Sequence, residues 1–380
     1  MPEVPITVIP FRYDLTDDDD PYLDLTGPET VARVLTPSHH LFSDLRYLLP
    51  VGGLTIRVRE PLVTDTRNRT KNLGAVKKAQ KLLDASDPTG YWSNGYWMGL
   101  IGVDRSGAGG RAQVGAKISV ADAFSPSVVA HEFGHNLRLW HAPCGGPSGV
   151  DKLFPQTSGT TGVWGYEWPI AGGNGRMVPP STHDLMSYCS PEWISEYHYT
   201  KAMDELIASD PVVRSFAPEP TKSLLVSGGV AADGTPYLDP AFVVDATPDV
   251  PDAAGPYRLE GRRVDGNPLF SVAFEMPEIS HGDGESVFVF ALPVQPEWAT
   301  ELVSLILSGP SGGVELREGS ESPTVMALDP QTGELRAILD DPAVIPSRPL
   351  TQRDFDRILP QPGLDVRVSR GLPPAEDWIR

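Results

Sequence analysis

The sequence predicts an α+β domain over residues 1–210, followed by an all-β, sandwich-like domain over residues 217–380. Three observations lead there. Helical and strand periodicities are mixed through the first 210 residues. Composition shifts between Asp210 and Pro220, and short strand patterns then succeed one another with turn residues between them and no long helix. Finally, 380 residues exceed the usual length of one domain, while 39 prolines and 37 glycines require many turns and disfavour a coiled coil or helical solenoid.

Each element is read from local pattern. Ile6–Phe11 reads as a strand. Asp17–Asp20 reads as a solvated acidic loop, because it lacks the Asp-x-Asp-x-Asp-Gly spacing of a calcium loop. Residues 26–49 have a helical pattern interrupted at Pro37. Leu54–Val58 alternates as a strand, Leu73–Leu83 is a basic amphipathic helix, and Tyr96–Val103 is a further strand. A glycine-rich loop, Ser106–Gly110, leads into a strand over Ala112–Val120. A helix begins at Pro126, with Ser125 as its N-cap and proline at its first position. Residues 142–183 are loop-rich, and Ser195–Ala208 is helical again. Downstream, strands are expected at Ser223–Val226, Ala241–Val244, Tyr257–Val264, Ser286–Leu292, Glu301–Leu307, Thr324–Leu328, Glu334–Leu339 and Asp365–Val368, a pattern that suits a sandwich of the immunoglobulin or fibronectin kind.

Fifty acidic against 31 basic residues, a net charge of −19, argue against a general nucleic-acid binder, whose affinity rests on neutralising phosphates. No apolar run approaches the ~18 residues that span a bilayer. The first residues, Met1-Pro2-Glu3-Val4-Pro5, show no basic n-region or apolar h-region, so a signal peptide is either absent or already removed from this sequence. Two cysteines, Cys144 and Cys189, are too few for a disulfide scaffold but permit one bridge.

The chemistry concentrates in His131-Glu132-Phe133-Gly134-His135-Asn136-Leu137-Arg138-Leu139-Trp140-His141. On a helix, residues four apart lie one turn above each other, so His131 and His135 present imidazoles to one point. Glu132 projects from the same turn, beside a metal-bound water. This is the HExxH arrangement of zinc hydrolases, with glutamate as general base. If the chain turns back after the helix, His141 supplies a third nitrogen and the fourth position stays open to water, as in a catalytic zinc site.

These residues, with Asp184-Leu185-Met186-Ser187-Tyr188 downstream, resemble the metzincin clan of zinc endopeptidases, in which a methionine turn comes after the long histidine motif. The stretches His141-Ala142-Pro143-Cys144 and Met186-Ser187-Tyr188-Cys189 are similar to a group of bacterial secreted metalloproteases. The resemblance covers roughly residues 1–205 and implies a catalytic domain with a twisted mixed sheet and an active-site helix. It further implies that Met186 underlies the zinc site and that Tyr188 contacts the metal or stabilises an oxyanion; the alternative for Tyr188 is a core tyrosine. Arg138 stands where the clan has a glycine in a left-handed turn, a conformation costing other residues roughly 1 kcal/mol, so the site is expected to survive. Cys144 and Cys189 each come three positions after a site residue. If both flank one zinc they are close enough to bridge, the alternative being two buried thiols. In the clan, the segment before the zinc helix is an edge strand that pairs with substrate, which assigns that role to Gln113, Gly115 and Lys117; the alternative is an ordinary sheet strand.

His39, His40, His183 and His198 have no partner spacing and are read as non-ligands. His281, the only histidine of the second half, is read as part of a turn. The expected activity is zinc-dependent endopeptidase action on protein or peptide substrates, by a monomer in a secreted or cell-surface location. The competing class is a secreted binding or adhesion protein, with a structural zinc and a β-sandwich that binds glycans or protein.

Overall fold

A computed structural model describes residues 2–13, 27–82, 87, 89–102, 109–168, 175–209, 220–251, 254–340 and 363–378. The Asp17–Asp20 loop, most of the Ser106–Gly110 loop and most of the expected boundary after Ser209 lie outside the described residues. The protein is mixed α+β, strand-rich with few helices and several sheets.

Strand β1 (Glu3–Tyr13) is buried at every position except Glu3 and Arg12, as a strand covered on both faces must be. It pairs in parallel with β2 (Gly53–Val58), β3 (Leu62–Thr64) and β4 (Tyr96–Ile101). Beyond β4 lies β6 (Ile118–Asp122), also parallel, and β5 (Gly110–Ala112) pairs antiparallel with β6 at the sheet's end. The alternation of β1 sorts its side chains into two cores. Val4, Ile6 and Val8 face α2 (Ser43–Leu48) and α4 (Pro126–Asn136), through Leu45, Leu48, Val129 and Phe133. Ile9, Phe11 and Tyr13 face the opposite core, with Leu73, Val76 and Ala79 of α3 (Arg69–Lys81). The helical pattern of residues 26–49 resolves into short pieces, α1 (Gly27–Ala32), a 3-10 turn at His40–Phe42 and α2. The strand expected over Ala112–Val120 is broken in two by a turn whose Gly115 has φ +69°.

Downstream of residue 220 every expected strand is present, some lengthened, some shortened and some shifted at their ends, and three more appear at Pro236–Leu238, Pro268–Phe274 and Gly312–Arg317. They do not form one separate domain over 217–380. Two four-stranded antiparallel sheets, within residues 221–317, enclose a core that includes Leu224, Val226, Phe288, Phe290, Leu259 and Leu305. The remaining strands, Thr324–Leu328, Leu335–Leu339 and Asp365–Ser369, instead extend the N-terminal sheet to nine strands, Leu335–Leu339 pairing in parallel with β3. The boundary drawn near Asp210 therefore does not divide the sheets. Strand patterns say which face is buried, not which sheet supplies the neighbour.

Helix α3 packs between these layers. Val287, Val289 and Val244 of the first four-stranded sheet share its core with β1 and β4. Its lysines reach acids of the second half: Lys71–Asp340 at 2.7 Å, Lys78–Asp239 at 3.4 Å and Lys81–Asp249 at 2.7 Å. The lysines of this helix thus pair across a seam with acids of the second half. No helix among the described residues is long and apolar enough to cross a membrane.

Candidate metal centre

Helix α4 starts where its sequence dictates: the Ser125 hydroxyl accepts the Val128 N–H at 3.4 Å, and Pro126 fills the first turn. His131 and His135 then lie one turn apart on its buried face. The helix ends at Leu137, and Arg138 takes φ +59°, the left-handed conformation for which glycine is favoured. Its guanidinium pairs with Glu205 of α5 (Glu196–Ala208) at 3.0 Å. This reversal brings His141 back to the helix.

Three imidazole Nε2 atoms converge, His131 to His135 at 3.1 Å and His135 to His141 at 3.2 Å. Each ring is oriented from behind. Nδ1–H of His131 donates to Leu185 O at 2.9 Å, that of His135 to Leu139 O at 2.8 Å, and that of His141 to Ser148 O. Carbonyls only accept, so these bonds place the proton on Nδ1 and leave three Nε2 lone pairs facing one another. Burial, with the neighbouring imidazoles, holds His135 well below the ordinary histidine value and His141 down to about 3; burial also lowers His131. All three are therefore neutral at pH 7, the form that binds a metal. A tetrahedral ion bound at ~2.0–2.1 Å separates its nitrogens by roughly 3.3 Å, so the observed spacing suits a cation.

The turn at residues 184–188 holds this arrangement. The Asp184 carboxylate accepts from the Met186 amide at 2.8 Å, the Ser195 amide at 2.9 Å and His198 Nδ1 at 2.8 Å. Burial alone would raise its carboxyl, but His198, Ser195 and the Met186 amide outweigh that and hold it below the usual carboxylate range. Met186 lies fully buried against the helix: a Cβ on Gly134 would meet its Sδ at 2.6 Å. The expected bridge is present, Cys144–Cys189, with Cα atoms 5.8 Å apart. Cys144 and Cys189 also lie near His183, but with their sulfurs bonded to each other the trio offers no thiolate.

Glu132 is 1 % exposed and sits beside the cluster. Its Oε2 accepts from the Ser280 hydroxyl at 3.1 Å, and its Oε1 lies 3.2 Å from His281 Nε2. His281, read from sequence as a turn residue remote from the chemistry, belongs to the site. Its ring joins those of His131, His135 and His141, and one ligand atom from each of the four lies within 4.8 Å of the others. The cluster could therefore hold a metal ion. No sequence signal pointed to His281, because 148 residues separate Ser280 from Glu132 and no local spacing connects them. The hydroxyl of Tyr188 is hydrogen-bonded to His281 Nδ1, and Tyr188 is 45 % exposed, so it is not a core tyrosine.

The edge-strand assignment is corrected in part. Gly115 lies in the turn, where its N–H bonds His135 O at 3.0 Å, and Lys117 lies in the bend before β6, its Nζ donating to Asn94 O at 2.9 Å, so neither is part of a strand. Gln113 continues from β5, but it is buried and bridged to Ile279 of the chain's own second half. No family model, curated protein or solved structure matches the chain.

Proposed function

We propose that the chain is a zinc-dependent endopeptidase of metzincin type. The observation that carries this reading is the convergence of three neutral, backbone-oriented imidazoles with a buried carboxylate, Glu132, on the same helical turn. A zinc ion held by His131, His135 and His141 would lower the pKa of a bound water toward ~7 and polarise the scissile carbonyl. Glu132 takes the water's proton and passes it to the leaving amine, as its place beside His131 allows. Burial, with Glu132 and Asp283 nearby, pushes the Tyr188 phenol above its ordinary value, so it stays protonated and able to donate to a developing oxyanion. Peptide substrates enter along the cavity of about 360 Å³ lined by Ser127, Val128, His131, Glu132 and Tyr188. The disulfide favours a secreted or cell-surface location, since such bridges persist in oxidising compartments.

A second reading has its own observation. Four protein ligands close a metal site, and His281 stands against the three-histidine cluster, so a structural metal tying the two halves together is the alternative. Zinc analysis and cleavage of an unstructured peptide separate the two, run in wild type and in a His281→Ala background. Glu132→Gln should keep about one zinc and lose roughly 10²- to 10⁴-fold in cleavage. Glu132→Gln cleaving as its active parent does removes Glu132 as the general base, and zinc retained in both backgrounds with no cleavage in either removes the hydrolytic reading.

A further inference from the structure

We infer that His281 is a displaceable fourth metal ligand, carried on a segment that lies along β5 and closes the metal centre, so that the chain as folded is latent. This rests on the proposed hydrolytic reading of the same site.

Four observations carry it. First, the His281 side chain is only 8 % exposed, its Nε2 lies 3.2 Å from Glu132 Oε1, and one of its ring nitrogens lies within 4.8 Å of a nitrogen from each of the other three imidazoles, a grouping that a cation can occupy. Second, the segment before it occupies the strand edge an extended peptide would use. Ser280 N–H donates to Ala112 O at 2.8 Å, Ala112 N–H donates to the Ser280 hydroxyl at 2.8 Å, Val114 N–H donates to Glu278 O at 3.0 Å, and Gln113 bridges Ile279 antiparallel. Those are the bonds of β-augmentation, made here by the chain itself. Third, His281 and Asp283 hold φ of +54° and +45° without being glycine, a strain of about 1–2 kcal/mol each that persists only where neighbours over-determine the backbone. The clamps are visible on both sides: Ser280 on Glu132 before the turn, and Glu285 paired with Arg111 and bonded by Thr70 after it. Fourth, cavities of about 380 and 360 Å³ both have His281 in their wall, the first together with His135 and His141 and the second together with His131 and Glu132.

The consequence is competitive. Four protein nitrogens fill the positions of a tetrahedral zinc, and both carboxylate oxygens of Glu132 are engaged, one by Ser280 and one by His281. Hydrolysis requires residues 278–285 to leave, and an extended peptide that pairs with β5 replaces the same main-chain hydrogen bonds.

The test uses the full chain, freed of metal and reloaded with cobalt(II) for spectroscopy or zinc for cleavage. Cobalt d–d absorption, cobalt affinity by chelator competition and cleavage of an unstructured peptide are compared in wild type, His281→Ala and Glu285→Gln. His281→Ala should still bind one cobalt but with a changed d–d spectrum and roughly tenfold or weaker affinity. Its cleavage should rise roughly 10- to 100-fold, the inverse of a 1–10 % open fraction in wild type. Glu285→Gln loosens the segment without removing an imidazole and should give a smaller rise. A His281→Ala spectrum and affinity equal to wild type overturn the ligand assignment, while wild-type cleavage leaves the hydrolytic reading standing. A changed spectrum with no rise in cleavage in either variant, in a wild type that cleaves, overturns latency alone. A changed spectrum with no cleavage by any of the three proteins overturns latency and the hydrolytic reading together, and leaves a structural metal.

Discussion

Arg138 carries a conformation that its side chain disfavours, and the reason is the path of residues 139–141. The left-handed residue after Leu137 returns the chain so that His141 meets His135, while its exposed guanidinium pairs with Glu205. Asp184 is the other residue on which the geometry depends, because one buried carboxylate fixes Met186, Ser195 and His198 at once. Its carboxyl titrates lower in the folded chain than in the unfolded one. A depressed folded value contributes stability that is present above the unfolded value, about 3.9, and lost as pH falls through the folded one. Asp184→Asn should therefore lose roughly 1.5–3 kcal/mol or more at pH 7 and show a shallower acid limb below about pH 4. Urea unfolding of metal-free protein at several pH values measures both; parallel stability–pH curves for the two proteins would refute the linkage.

At the scale of elements, the site is one helix pressed onto one turn. The helix ends are local chemistry: Ser125, Asn68 and Ser195 each cap the next helix through their own side chains. The contact between α4 and the 184–188 turn is not local, and it is tight at Gly134, where an added methyl would meet the buried Met186 sulfur. Gly134→Ala gains helix propensity but overpacks that contact. A net loss of about 1–3 kcal/mol is expected, together with weaker metal binding as Leu185 O shifts from His131. Chelator titration beside urea unfolding would show it, and unchanged values in both would mean that the turn yields without strain.

Across the whole molecule, the two halves are bound by a shared core, shared sheet and shared charge pairs. Ile9, Phe11 and Val76 are buried together with Leu225, Val287 and Ile338, and Arg59 pairs with Glu334 at 2.8 Å. Such a core unfolds as one unit. The full chain should give a single calorimetric transition. A chain ending at Ser209 loses the partners of β3 and α3 and should show no cooperative transition of its own. Two separable transitions, or a stably folded 1–209 chain, would restore a division near Asp210.

The sequence by itself determined what depends on near neighbours. The spacing of His131, Glu132 and His135 on a capped helix, the positions of most strands, and the placement of Cys144 and Cys189 close to site residues are all local patterns, and the structure contains the helix, the strands and the bridge. Tertiary structure alone decided which sheet each downstream strand joins, because an apolar alternation is satisfied by any partner of the right shape. It alone paired lysines of α3 across a seam with acids of the second half, and broke Ala112–Val120 at Gly115 to present β5 to residues 278–280. His281 is the clearest case. A single imidazole has no periodicity and no motif, and only the docking of the second half against β5 carries it to the three histidines.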